Sequence, residues 1–405
     1  RMSLAAVGDY VGYPKLDMPE GEPEGEEWDI YCKRDVEVLT EALKAWWAML
    51  EAQDLGNFTL TLASQTMQAY KHRFMKRSIY IDSIEDSLES SRRALSGGRT
   101  EAFMLGTIPE KVYCLDINSM YPSVMKGNRF PVKLVGTRKF PRLNVLDYYI
   151  NQGDCSLLAE VDIITNDPVY PLKTDSHTVF PVGKFTTHMM TPELRYANAH
   201  GHIDKVRKLY IYDDEDIFSD YVDHFWNIRQ KAIKEGDDTT NWLCKMFLSN
   251  LYGKFSQRGE VWERVGDSEY IDCDFWIESH NGQLIKMRRF DGIEEKMIEE
   301  TESRDSFPSI AAQVTSYARI YLWTLIQRAG RENVYYCDTD SLMVNAEGYD
   351  NLKHLINPYK LGALKLEWES DNFQINGLKD YVIDGKRKAK GISCLLYTSD
   401  AADEE

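Results

Sequence analysis

No run of apolar residues in this sequence approaches the length of a membrane span, and no secretory leader is visible. The expectation is a soluble chain with no membrane partner. Cysteine is thin: seven residues, at 32, 114, 155, 244, 273, 337 and 394, with no C-x-x-C pair among them. That scatter points to a reducing compartment. Internal repeats are absent. Positive charge is also short, 48 Lys and Arg against 65 Asp and Glu, for a formal net charge of −17. In bulk this counts against a nucleic-acid partner, because phosphate contacts need cations. The acid is uneven, however, and concentrates in residues 17–37, 213–216 and 294–302. Residues 379–390 instead carry Lys379, Lys386, Arg387, Lys388 and Lys390, a local stripe that can hold a phosphate backbone whatever the net charge.

What is present is the composition of a globular protein, 43% hydrophobic and 28% charged, and 405 residues suffice for two or three domains. Between the apolar runs Val334-Tyr335-Tyr336-Cys337 and Leu342-Met343-Val344 lies Asp338-Thr339-Asp340-Ser341. The pattern predicts a strand, a tight acidic turn and a second strand. Two like charges at a strand edge are costly without a cation, and hard oxygen ligands imply a Mg²⁺-like ion rather than zinc. Taken alone, the same turn reads equally well as an exposed Asx-rich hairpin.

Along the chain, residues 1–27 read as loop, and a helix is predicted from Trp28 to near Gly56, with Tyr31 and Asp35 one turn apart on it. Such a pair can bind a metal-held water or be an ordinary helix face. Residues 59–81 are predicted as a second helix and residues 82–99 as a polar connector ending in Ser96-Gly97-Gly98-Arg99, either a phosphate-approaching turn or a plain one. Val112-Tyr113-Cys114-Leu115 is a strand with Asp116 at its end, a position that displays ligands or caps a helix. Residues 131–219 alternate short strands with one helix near 192–200. Residues 220–255 read as two helices joined at Gly236-Asp237-Asp238. On the second, Lys245, Ser249 and Tyr252 share one face beside an apolar face of Cys244, Phe247, Leu248, Leu251 and Phe255. Residues 256–305 are β-rich, and Pro308 opens a long helix through Gln327, closed by Gly330.

Taken in order, Asp116-x-x-Ser119-Met120-Tyr121-Pro122, the stretch from Lys245 to Gly253, and Tyr336-x-Asp338-Thr339-Asp340-Ser341 resemble motifs A, B and C of family B DNA polymerases. Ser96-Gly97-Gly98 before them and Lys379-x-Tyr381 after them are similar to the protein-primed branch found in viruses, plasmids and organelles. The resemblance runs from about Tyr31 to Lys390. It implies an α+β right-hand fold with an antiparallel palm sheet, two-helix fingers and branch-specific insertions. It divides the chain into an exonuclease remnant (1–55), a connecting helix and template loop (56–110) and palm with motif A (111–130). An insertion able to bind a priming protein follows (131–219), then fingers (220–255) and a β-rich insertion suited to strand displacement (256–305). Palm with motif C (306–360) and palm end with the start of a thumb (361–393) complete it. The last residues, 394–405, resemble a sequencing-library adapter.

The implied activity is templated DNA synthesis with two Mg²⁺ ions, Mn²⁺ being able to substitute. Asp116 and Asp340 would be direct ligands, with the Ile117 carbonyl completing one metal shell and Asp338 in support. Lys245 and Arg229 would contact the triphosphate, Tyr121 would be the sugar gate, and Tyr252 would stack near the incoming nucleotide. Thr315, Arg319, Lys379 and Tyr381 resemble primer-strand contacts, and Gly97 and Gly98 a template contact. Implied partners are primer–template DNA, dNTPs and a terminal priming protein, in a host cytoplasm for a viral or plasmid gene and otherwise in an organelle. Tyr31 and Asp35, with Lys15 as assistant, resemble the third motif of a 3′–5′ exonuclease. The other two motifs are not in this sequence, so no proofreading is expected. Three departures stand out: Ser249-Asn250 where the family has Asn-Ser, Leu95 where the template loop has Tyr, and little thumb after Lys390. A catalytically idle DNA- or priming-protein-binding fragment is the competing expectation.

Overall fold

Both hairpin runs enter a five-stranded antiparallel sheet in the order Thr100–Ala102, Val334–Asp338, Ser341–Val344, Val112–Ile117 and Leu364–Ser370. The computed structural model describes residues 3–21, 24–174, 177–279, 282 and 284–389. Lys390, Cys394 and the adapter-like tail lie outside the described residues.

Both faces of this sheet are covered, which is why its strands read as near-continuous apolar runs. Leu115, Ile117, Cys337, Leu342 and Val344 point into the main core, which also holds Ile310, Val314 and Leu322 of the helix Pro308–Ala329. Val112, Cys114, Tyr336 and Met343 point the other way, into a smaller core with Phe373, Ile375 and Tyr381. The alternation follows the two-residue period of a strand, with register shifts between Val334 and Tyr336 and between Leu366 and Trp368.

Three further four-stranded sheets are antiparallel. One joins Phe130–Lys139, Ile203–Glu215, Cys155–Thr165 and Gly183–Met190; a second joins Lys386–Ala389, Asp380–Ile383, Phe373–Gly377 and Gly106–Ile108. The third, Arg258–Asp267, Ile293–Glu302, Leu284–Phe290 and Cys273–Glu278, occupies the β-rich stretch. The helices Ser219–Glu235 and Asp238–Lys254 form the expected pair, with Gly236 in the left-handed region between them and Asp237 capping the second. No helix of the described residues is long and apolar enough to cross a membrane.

The structure corrects three local readings. Residues 1–27 are not all loop, because Leu4–Tyr10 is a helix capped by Ser3. The helix expected over 59–81 is Leu62–Ala69, closed by a π-turn at Tyr70–Phe74. The polar connector contains a helix, Glu85–Ala94, whose buried face is Ser87, Ser90, Ser91 and Ala94. Serine at such a density disfavours an isolated helix. Here the hydroxyls are satisfied from afar, Ser91 by Ser309 at 2.7 Å and Ser90 by Tyr210 at 3.1 Å, and small side chains let the helix press against Pro308–Ala329.

Candidate active site

Strand pairing, not proximity in sequence, assembles the acidic centre. Ser341 is the register partner of Asp116, and the Ile117 N–H donates to the Asp340 carbonyl at 2.7 Å, so Asp116, Ile117 and Asp340 meet at one end of adjacent strands. The turn between them is strained. Thr339 has φ +61°, unusual for a β-branched residue, and its N–H donates to the Arg99 carbonyl at 2.7 Å. Ser119, at φ +53°, starts the short helix Met120–Met125 that carries Tyr121.

The three acids differ in their surroundings. Asp338 accepts from the Thr100 hydroxyl at 3.0 Å and lies 3.4 Å from the Lys379 ammonium. Asp116 lies 3.1 Å from the Lys365 ammonium, yet burial still raises its pKa above the ordinary carboxylate range. Among the described residues Asp340 has no cationic side chain paired with it. Burial, followed by the nearby Asp116 charge, pushes it up to about 6. Two half-buried carboxylates that resist ionising together form a donor set suited to a hard divalent cation, which would remove that resistance. Among the described residues no cluster of three or more His, Cys, Asp or Glu is arranged for a metal. A two-carboxylate site of this kind leaves positions to be filled by substrate oxygens and water.

Lys245 is exposed on the helix Asp238–Lys254, its charge near enough to act on Asp116, and Tyr252 packs on Tyr121 with ring centroids 4.4 Å apart. Burial holds the Tyr121 phenol far above its usual range, with the Tyr252 phenol beside it. Ser249 donates its hydroxyl to the Lys245 carbonyl at 2.7 Å, so the first residue of the exchanged polar pair is turned into its own helix. Arg229 donates to Ser119 Oγ at 2.7 Å and to Asn241 Oδ1 at 3.0 Å, tying the first helix of the pair to the start of the Tyr121 helix and to its partner helix.

Several expected DNA contacts are placed elsewhere. Thr315 and Arg319, expected as primer-strand contacts, are buried and bonded within the protein. The Thr315 hydroxyl donates to the Ala312 carbonyl at 3.1 Å, within its own helix. Arg319 pairs with buried Glu193 (Nε to Oε1, 2.9 Å) and donates to the carbonyls of Ser96 and Gly97 at 2.6 and 2.9 Å. These bonds tie the helix Pro308–Ala329 to the Gly-Gly loop. Tyr381 is likewise a core residue, its ring 5.8 Å from Tyr336 and 5.7 Å from Phe373. Lys379, at φ +61°, donates its backbone N–H to the Tyr336 hydroxyl at 2.7 Å. Gly98 is needed for closeness, because a Cβ there would meet the Thr339 side chain at 2.6 Å. Nothing lies within 4 Å of a Cβ built on Gly97, and Leu95 packs on the main core where a Tyr was expected.

At the other end of the molecule, the Lys15 ammonium lies 2.5 Å from the Tyr31 hydroxyl and 2.6 Å from Asp35 Oδ2, so the expected trio does meet. Sequence reasoning missed Lys365, Glu193 and Thr100. Lys365 is legible only as one polar member of the alternating run Leu364-Lys365-Leu366-Glu367, and its opposition to Asp116 depends on register.

An antiparallel sheet with paired acids at its hairpin edge, beside a two-helix arm carrying a cation and a ring, is the arrangement that the resemblance to family B polymerases implies. Residues 25–340 match the family described as DNA polymerase type B, organellar and viral, and the chain belongs to that family. Its relatives include a DNA-directed DNA polymerase of Enterobacteria phage PRD1, 28% identical over 73% of this chain and 50% of that protein. A probable DNA polymerase of Neurospora intermedia is 22% identical over 87% of this chain and 38% of that one. A DNA polymerase of Bacillus phage Nf is 24% identical over 90% and 62% respectively. The chain thus spans half or less of the first two relatives. In fold it is similar to phi29 DNA polymerase complexed with primer-template DNA and incoming nucleotide, with a TM-score of 0.70 and 18% identity, over 98% of this chain and 72% of that one.

Proposed function

We propose that this chain is the polymerising part of a DNA-templated DNA polymerase that adds dNTPs to a primer 3′-hydroxyl. The observation that carries the reading is the strand register that sets Asp116 and Asp340 side by side, with the Lys245 charge acting on Asp116 and Tyr252 packed on Tyr121. Asp116 and Asp340 would hold two Mg²⁺ ions, or Mn²⁺ in their place. Bound there, such ions lower the pKa of the attacking hydroxyl and neutralise charge on the leaving pyrophosphate. The protein's own groups do the rest. Lys245 would hold the triphosphate and deliver a proton to the leaving oxygen. The Tyr121 ring, backed by Tyr252, fills the space that a ribose 2′-hydroxyl would need. Arg229, anchored on Ser119, orients the helix that bears Lys245. Thr100 and Lys379 keep Asp338 in place beside the ligand pair.

The resemblance of Ser96-Gly97-Gly98 and Lys379-x-Tyr381 to the protein-primed branch supports a terminal protein as a further partner, with residues 131–219 as its seat and residues 256–305 as a strand-displacing element. Primer extension tests the reading. The chain with Mg²⁺, dNTPs and a primed template is expected to extend the primer, and Asp116→Ala to abolish extension while leaving the fold intact; extension surviving that change would exclude the site. The Ser249 hydroxyl, bonded to its own helix at the Lys245 carbonyl, favours a second reading, a fragment that binds DNA or a priming protein without incorporation. Binding indifferent to Asp116→Ala, with no extension by the parent chain, would select it.

A further inference from the structure

The acidic centre contains a cation that the polymerase reading does not use. Lys365 is the register partner of Asp116 on the neighbouring strand, and its ammonium sits 3.1 Å from Asp116 Oδ1. The lysine is about two-fifths exposed whereas Asp116 is mostly covered, so the ammonium can leave along the open edge while the carboxylate stays. Asp338 has its own cation in Lys379, at 3.4 Å, and among the described residues Asp340 is paired with none. Among the described residues Lys365 is thus the one ammonium lying on a proposed metal ligand.

We propose that Lys365 is a built-in counter-ion that holds the cation position at Asp116 until a divalent ion arrives on a nucleotide, so that the site loads metal with the nucleotide and not before it. The inference rests on the polymerase reading of Asp116 and Asp340. Its logic is the sign of the arriving charge. A bare divalent ion at Asp116 would stand within a few ångströms of the ammonium and be repelled by it at the reduced dielectric of a half-buried site. A divalent ion carrying a nucleoside triphosphate is net negative. The same ammonium is then attracted to the phosphates and can swing from Asp116 to meet them on its flexible four-carbon stem.

Direct Mn²⁺ binding, followed by the loss of the free-ion electron paramagnetic resonance signal, tests this without catalysis. The whole chain would be titrated as wild type, K365Q, K365R, D116N and the K365Q/D116N double variant, with Mn²⁺ alone and with Mn²⁺ plus dATP. K365Q is expected to bind Mn²⁺ alone roughly three- to tenfold more tightly than wild type. K365R is expected to match wild type, the double variant to lose the gain, and K365Q to gain nothing for Mn²⁺–dATP. If D116N weakens Mn²⁺ binding while K365Q leaves it unchanged, the counter-ion role is overturned and the metal site stands. If neither D116N nor the double variant alters Mn²⁺ binding, both the role and the metal reading fall.

Discussion

Two clusters of charge lie in partly or fully buried positions, and they are built on opposite plans. Around Arg319 the charges are of opposite sign and almost wholly enclosed. The guanidinium meets Glu193 on one side and the Ser96 and Gly97 carbonyls on the other. At the hairpin, Asp116 and Asp340 have the same sign, and Asp340 is pushed up to about 6 by burial and by its neighbour. The enclosed pair is structure: it locks the Gly-Gly loop, whose Gly98 lies under Thr339 and whose Arg99 carbonyl holds the Thr339 N–H. The like-charged pair is a cost borne for function, and the first cluster supports the turn that holds it.

The largest expected effect breaks the enclosed cluster. Glu193→Ala or Arg319→Ala alone should cost about 3–5 kcal/mol of stability, because each strands a buried charge. Denaturant unfolding would show it, and an apolar replacement of both residues should recover most of the loss. A cost within experimental error for either single change would mean that the pair is not the lock described here. Next, Lys245→Met should slow incorporation roughly 10²–10³-fold, about 2.7–4 kcal/mol, with little change in melting temperature, measured by single-turnover extension. An equal loss of both would make Lys245 a structural residue.

The contrast also explains what could be read from sequence. The hairpin, the Asp116 strand, the Lys245 face and the Tyr31–Asp35 pair are local patterns, visible in periodicity and turn chemistry. Arg319 was assigned to DNA because it resembles a family contact. Its burial depends on Glu193, 126 positions away, which no local pattern reveals. The helix Glu85–Ala94 was missed for the same reason, since its serines are satisfied by Ser309 and Tyr210. Lys365 needed the register of a third strand.

A smaller effect probes the link between the clusters. Gly98→Ala would drive a Cβ to 2.6 Å from the Thr339 side chain and should cost about 1–3 kcal/mol, with slower extension because the strained turn shifts. Unchanged stability and rate would uncouple loop from turn. The smallest effect concerns the like-charged pair itself. The folded protein holds the Asp340 proton more tightly than the unfolded chain, about 6 against 3.8. The contribution of this group is therefore favourable below about pH 4 and is lost as pH rises through about 6. Asp340→Asn should stabilise the metal-free chain by about 1 kcal/mol near pH 8, after allowance for partial exposure, and by nothing near pH 4. Thermal melts at the two pH values would check this.

That last variant also supplies the most direct measurement of the central claim, templated dNTP incorporation by wild type and Asp340→Asn at matched folded concentration with saturating Mg²⁺. The account predicts incorporation by wild type and none by the more stable variant. Incorporation by Asp340→Asn at a rate near that of wild type would contradict it.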